Sequence, residues 1–355
     1  MKGIILHGGH GTRLRPLTHT GPKQLLPIAN KTMSQYALED LRDSGITDIV
    51  IIIGGSNSEK VKEYYGDGKK FGVNICYVFQ DQPKGIAHAI GLCKDFVKDD
   101  KFVVYLGDNI LRNGLENYVQ EFEKSTAEAL ILLSKVEDPS RFGVAEFENN
   151  KITKIVEKPK NPKSNFAVIG NYFLTPKIFD IISKLKPSLR GELEITEALD
   201  ILMNEGLPID HRVVSGWWKD TGTPEDILHA NELVLETIGT DHQLVKKDDM
   251  RIQGKNILVG NNSIITRDCF IEGPVIVGKN CTIGPSVRLG PYVSIGENSV
   301  LRRCDIKNSI VMENCKIDTK IDITDSIIAH GSSITNNIEA RKHQFLLGER
   351  SQLKI

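Results

Sequence analysis

The chain has 355 residues, and at roughly 150 residues per domain that length implies two domains with ample core. Its composition, 40% hydrophobic and 26% charged, is ordinary for a water-soluble globular chain. Forty-five Lys and Arg stand against 46 Asp and Glu for a formal charge of −1, so no whole-chain electrostatic footprint for nucleic acid or an anionic membrane exists, and neither is expected as a partner.

The first apolar run, Ile4-Ile5-Leu6, ends at His7. It is far short of a signal-peptide core, and no run nears the ~18 apolar residues of a membrane span, so a cytoplasmic location is expected. Cys76, Cys93, Cys269, Cys281, Cys304 and Cys315 form no C-x-x-C pair. They are expected as reduced core residues rather than a disulfide framework or a structural zinc site.

From residue 1 to about 240, short β-rich runs alternate with helical patterns, as in a mostly parallel sheet flanked by helices. Strands are predicted at Gly3–Leu6, Ile49–Ile53, Val73–Phe79, Phe102–Leu106, Ala129–Leu133 and Ala167–Leu174. Between the first two, Met33–Ser44 places Met33, Tyr36, Ala37 and Leu41 on one helical face before Gly45 stops it, completing a βαβ unit.

Past Leu244 the helical period gives way to a six-residue repeat: Val277-Gly278, Ile283-Gly284, Leu289-Gly290, Ile295-Gly296. Two residues before each aliphatic stands Val275, Cys281, Val287 or Val293, so alternate side chains point inward along very short strands. Glycines and asparagines such as Gly278, Asn280, Gly296 and Asn298 suit the left-handed backbone of tight corners. Three such sides make one triangular coil, which predicts a parallel β-helix over residues 245–355 behind an α/β domain over 1–240. Beyond Leu301 the register blurs, although Ile306, Ile310, Ile317, Ile321, Ile327 and Ile334 keep up the aliphatic supply.

Directly after the first strand comes Leu6-His7-Gly8-Gly9-His10-Gly11-Thr12-Arg13-Leu14-Arg15, then Pro22-Lys23-Gln24-Leu25-Leu26-Pro27. Glycines without Cβ let backbone N–H groups crowd phosphate oxygens, and Arg13, Arg15 and Lys23 supply cations for a polyphosphate. The spacing fits neither the dinucleotide G-x-G-x-x-G nor the P-loop. Leu106-Gly107-Asp108-Asn109 puts a carboxylate at the carboxyl end of a strand, where open α/β sheets bind ligands.

These segments, in this order, resemble the signature of sugar-1-phosphate nucleotidylyltransferases. Lys23-Gln24-Leu25-Leu26-Pro27 points within that family toward the thymidylyltransferases that act on glucose 1-phosphate, and the repeat tail resembles their longer form. The resemblance implies a Rossmann-like nucleotidyltransferase domain followed by a left-handed parallel β-helix of hexapeptide repeats. It implies that Arg13, Lys23 and Lys158 are catalytic. Leu6, Gly8, Gly9, Gly11, Thr12 and Gln24 then bind the nucleotide together with Gln80, Pro83 and Gly85 of the base-recognition loop Gln80–Ala89. Gln80 reads the imide edge of thymine or uracil.

On the sugar side the resemblance assigns Gly143, Glu157, Lys158, Gly170 and Tyr172. Asp108, with Asp220 of Trp217-Trp218-Lys219-Asp220-Thr221-Gly222-Thr223, is implied to hold Mg²⁺, whose hard-oxygen preference two carboxylates suit. Arg190-Gly191-Glu192-Leu193-Glu194-Ile195-Thr196 matches as well and is given no site role, a structural one being its alternative. The expected substrates are dTTP (or UTP) and glucose 1-phosphate, the products a nucleoside-diphosphate sugar and pyrophosphate.

Two departures stand out. His7 occupies a place that is commonly small, so either its ring turns away or the base pocket is altered, and Thr32 replaces a common proline before Met33. The tail is expected to be structural and to join subunits into a homo-oligomer. Its histidines, His330 and His343, lie in no acetyltransferase-like motif.

Overall fold

All six predicted strands form in the computed structural model, which describes residues 1–9, 11–55, 58–149, 151–240 and 251–335. Lys2–His7 lies between Asp48–Gly54 and Phe102–Leu106, parallel to both, and Asn74–Gln80 adds a parallel edge. The three inner strands carry unbroken apolar runs because each of their faces is covered. Ile4, Leu6, Val50 and Ile52 belong to one core, Ile5, Ile49, Ile51 and Ile53 to the other, as expected where helices flank both sides of a parallel sheet. One flanking helix, Met33–Asp43, buries Met33, Ala37, Leu38 and Leu41, and Gly45 at φ 84 ends it.

Phe166–Leu174 then runs antiparallel to Phe102–Leu106 and changes the character of the sheet. It pairs antiparallel with Ala129–Lys135 and with Gly143–Glu148, which forms a hairpin with Lys151–Glu157. That hairpin was not predicted, because its residues are half polar. Asn149, at φ 49, supplies the left-handed turn position that asparagine tolerates.

The chain divides into two compact units. One comprises Met1–His10, Thr20–Leu25 and Met33–Asp220; the other comprises Gly11–His19, Leu26–Thr32 and Thr221–Ile355. In the second unit Ile257 stands opposite Val275, and Val275 opposite Val293, so one turn of a parallel β-helix takes eighteen residues. The inward positions Val275, Val277, Cys281, Ile283, Val287, Leu289, Val293 and Ile295 are all buried. At one corner Asn262, Asn280 and Asn298 adopt positive φ, and the amide of each of the first two donates to the next, at 3.3 and 3.2 Å.

Another corner requires glycine. Gly290 sits at φ +102, and a Cβ there would lie 1.8 Å from Glu272 O. After Leu301 the coils change: Val293 pairs with Ser309, and the strands lengthen to Val300–Lys307 and Lys316–Thr324, which is why the six-residue repeat blurs. Ile321 is exposed rather than inward, while Ile317 and Ile323 are buried.

This unit also takes up pieces from earlier in the chain. The hairpin Pro27–Ile28 with Lys31–Thr32 turns at Ala29 and Asn30, both at positive φ. Buried Asn231, on the helix Pro224–Leu235, accepts from Ala29 N–H at 2.9 Å and from Ser294 Oγ at 2.7 Å, and Asn30 Nδ2 donates to Ile295 O. Thr223 and Asp226 close a reciprocal capping box at that helix's start, which satisfies N–H groups with no partner inside the helix.

Of the six cysteines, all free, five are buried. Cys76 departs from the expectation of core thiols, because it faces outward on the edge strand Asn74–Gln80. Among the described residues no helix is long and apolar enough to cross a membrane.

Candidate active site

The parallel strands end at one level, and their register brings the candidate nucleotide residues together. His7 pairs with Ile53, and one step on, Gly54 pairs with Gln80. Gly8 thus stands level with Gln80, with Gly54 on the strand between. Gly54 presents no side chain, and Gln80 Oε1 comes within 3.8 Å of where a Cβ on Gly8 would stand. A cleft of about 210 Å³ opens here, at the carboxyl ends of the strands. Leu6, Gly8, Gly9, Gln24, Gln80, Pro83, Gly85 and Asp108 line it, with Ile86, Ala89, Leu106 and Glu192.

Gly85 is required by close approach as well as by conformation. It sits at φ +100, and a Cβ would lie 2.4 Å from Leu193 O. The backbone of the Arg190–Glu194 stretch is laced to this loop, for Leu193 N–H donates to Lys84 O and Ala87 N–H to Leu193 O. On the facing wall Gln24, 1% exposed, donates from Nε2 to Gly8 O at 2.9 Å.

Asp108 ends the cleft in an ion pair with Lys23 and accepts a 3.1 Å hydrogen bond from Asn109 Nδ2. Burial pushes the Asp108 carboxyl up, but the Lys23 charge and the hydrogen bonds from Lys23 and Asn109 outweigh it and hold the group below its usual range. Asn109 in turn accepts from Trp218 Nε1 at 2.7 Å. Trp218–Asp220 runs antiparallel to Asn109–Leu111 with Asp220 opposite Asn109, so Asp220 and Asp108 occupy neighbouring places on paired backbone. Two carboxylates fit magnesium, which binds through one or two of them and keeps sites for water and phosphate oxygens. Among the described residues no group of three or more His, Cys, Asp or Glu side chains forms a fuller metal cage.

The sugar-side residues form a second cluster. Glu157 Oε1 pairs with Arg190 at 3.0 Å and with Lys158 at 3.7 Å, and Thr196 Oγ1 donates to Glu157 Oε2 at 3.1 Å. Burial and then Glu194 raise the Glu157 carboxyl, against the pull of Lys158, Thr196 and Arg190. Gly143 keeps this place open: a Cβ would stand 2.5 Å from Thr196 Cγ2 and 3.4 Å from Glu157 Oε2. At Gly170 a Cβ would meet Asn109 Oδ1 at 2.8 Å. Tyr172 is packed in the core, its hydroxyl pushed up by burial and by Glu157 and Glu194.

Gly11, Thr12 and Arg13 belong to the second unit. Gly11, at φ 57, opens a single 3-10 turn over Thr12–Leu14 and is tied by Thr18 Oγ1 to its carbonyl at 2.8 Å. Leu14 is buried, while Thr12 and Arg13 are exposed.

The alternatives for His7 resolve in favour of a ring turned away. It is 2% exposed, lies edge-on to Tyr65 at 6.0 Å on the opposite face from Leu6, and finds no partner among the described residues for either ring nitrogen. Burial lowers its pKa to about 3 despite nearby Asp108. His330 is exposed, and His343 lies outside the described residues.

Sequence reasoning gave no role to Asn109, Trp218, Thr196 or His88. Each sits in a stretch already singled out, but a hydrogen bond such as that from Trp218 to Asn109, 109 residues apart, leaves no periodic trace. Only residue type, a polar group beside an expected ligand, was available as a signal.

The nucleotidyl transferase family model matches residues 2–237, and the GMPPB C-terminal domain model matches residues 271–354. The low-salt glycan biosynthesis nucleotidyltransferase Agl11 of Haloferax volcanii is 45% identical over all of both chains. A glucose-1-phosphate thymidylyltransferase of Streptomyces antibioticus is 39% identical, covering 100% of this chain and 99% of its own. Among solved structures, a Bacillus anthracis protein provisionally named a glucose-1-phosphate thymidylyltransferase, in complex with sucrose, is 45% identical. It superposes with a TM-score of 0.64 over 69% of this chain and 99% of that one.

Proposed function

Because the chain belongs to the nucleotidyl transferase family, we propose that it transfers dTMP from dTTP to glucose 1-phosphate, releasing pyrophosphate and forming dTDP-glucose. The carrying observation is one cleft with the Gln80 amide oxygen beside Gly8 and, among its walls, Asp108 in its ion pair with Lys23. That juxtaposes a group for a base with charges for a phosphate.

In the reaction a phosphate oxygen of the sugar phosphate forms a bond to the α-phosphorus, and the bond to the β-phosphate bridging oxygen breaks with its electron pair leaving on pyrophosphate. The nucleophile is already anionic and needs no general base. Catalysis is alignment plus charge neutralisation, to which Arg13, Lys23 and Lys158 contribute as cations. Asp108 and Asp220 are the residues that would hold Mg²⁺, which when bound supplies Lewis-acid charge to the phosphate oxygens. Lys23 exchanges its bond to Asp108 for the triphosphate. Glu157 accepts sugar hydroxyls beside Gly143 and Gly170.

Residues 1–240 act as the nucleotidyltransferase domain, and the β-helix tail behind them stabilises the chain and joins subunits; of its expected span 245–355, positions 245–250 and 336–355 lie outside the described residues. Pyrophosphate release with Mg²⁺ tests the reading, with dTTP, UTP, ATP, CTP and GTP each offered glucose, glucosamine and N-acetylglucosamine 1-phosphates. The expected best pair is dTTP with glucose 1-phosphate; no release from any pair would end it.

A further inference from the structure

A primary amide can face a base in two orientations of nearly identical shape, one offering oxygen and the other NH₂. What decides between them for Gln80, 7% exposed, is what its amide nitrogen meets. Gln80 Nε2 lies 3.4 Å from Gly85 O and 2.9 Å from His88 Nδ1. A carbonyl oxygen only accepts, so the group facing it must be NH₂. The same NH₂ then donates to His88 Nδ1, which requires a neutral imidazole carrying its proton on Nε2. Oε1 is left toward Gly8 and the cleft.

The Gly85 contact is long, whereas the His88 contact is of ordinary length, so the imidazole is the main restraint. His88 is half-buried on the helix Ile86–Gly91, just beyond the close-packed Gly85 turn. We propose that His88 is a specificity-determining residue: as an acceptor it locks the Gln80 amide with its oxygen in the cleft, which admits bases carrying an imide N–H and disfavours bases with a ring acceptor there. Thymine and uracil present that N–H; cytosine presents a bare ring nitrogen. The inference rests on the nucleotide reading of the cleft and adds the origin of its selectivity.

The test is kcat/KM for dTTP, UTP and CTP in the wild type, His88→Leu and His88→Asn, with glucose 1-phosphate as acceptor. In His88→Leu the preference for dTTP and UTP over CTP is expected to shrink by about tenfold or more. The change should fall on the nucleotide KM and leave the sugar-phosphate KM in place. Asn carries a side-chain oxygen at the position of Nδ1 and should restore the preference. An unchanged preference in a folded His88→Leu protein, or equal loss in both variants, would overturn the proposal.

Nitrogen NMR of the wild-type imidazole gives a reading independent of folding of the variants and of turnover. The Nε2–H tautomer is expected, and the Nδ1–H tautomer would refute the lock. A wild type that releases no pyrophosphate from any nucleotide refutes the proposed function instead, and the tautomer still reports on His88.

Discussion

Where the parallel strands end in the α/β unit, Gln24 Oε1 is buried with no hydrogen-bond partner among the described residues and Gln80 turns its oxygen to a cleft. At the corner of the β-helix, by contrast, Asn262, Asn280 and Asn298 pass a hydrogen bond from coil to coil. A repeating structure can satisfy polar groups with copies of themselves, because each coil presents the same geometry to the next. A sheet whose strands simply stop has no next copy, and the groups at its end are left for a ligand to complete. Polar residues therefore carry stability at the β-helix corner, and at the strand ends they are available to a ligand.

The sharpest way to break this contrast is at the acidic pair. Asp108→Asn and Asp220→Asn are each expected to lower kcat by ~100-fold or more, because an amide is a poor replacement for a carboxylate on Mg²⁺. Near-normal pyrophosphate release at saturating magnesium would remove them from the metal site. In the β-helix the large effect should be on folding alone. Gly290→Ala forces a Cβ against Glu272 O at positive φ and should cost about 3 kcal/mol or more in urea unfolding. Turnover per folded chain should stay intact, and a kcat that falls with stability unchanged would contradict the division.

His7 sharpens the comparison through pH. Its unfolded value of 6.5 falls to about 3 in the fold, so between those values the unfolded chain holds the extra proton. The neutral ring leaves stability complete above pH 6.5 and eroding as pH drops toward 3, a loss of about 2 kcal/mol by pH 5. His7→Leu should flatten that slope in denaturant titrations at pH 7 and 5; an identical slope in the variant would place the acid sensitivity elsewhere. The smallest effect is expected at Lys158, exposed beside Glu157. Lys158→Ala should raise the sugar-phosphate KM about tenfold with little change for the nucleotide, and equal shifts in both would reject its sugar-side role.

Periodicity and punctuation made much of the fold legible. Ile49–Ile53 can be so uniformly aliphatic only between two covered faces, and the Val-Gly, Ile-Gly, Leu-Gly, Ile-Gly series from residue 277 announces its coil because the same corner recurs. The glycine turn, Gln80, Asp108 and Asp220 were visible as residue types in a familiar order. The hairpin Gly143–Glu157 was not, since its half-polar strands carry weak alternation, and neither was Cys76 on an exposed edge.

By itself the sequence determined the six apolar strands, the repeat and the chemical types available to the cleft, for those depend on neighbours a few residues apart. The tertiary structure alone decided which way side chains with two options turn. His7 faces Tyr65 rather than the cleft, Lys23 reaches Asp108, Trp218 reaches Asn109, and Gln80 is held by His88. Ala29 and Asn30, from early in the chain, likewise join Asn231 and Ile295. Most of these choices turn on hydrogen bonds and burial between segments tens to hundreds of residues apart, and that of Gln80 on a helix residue eight positions on; no local pattern of the chain encodes those energies.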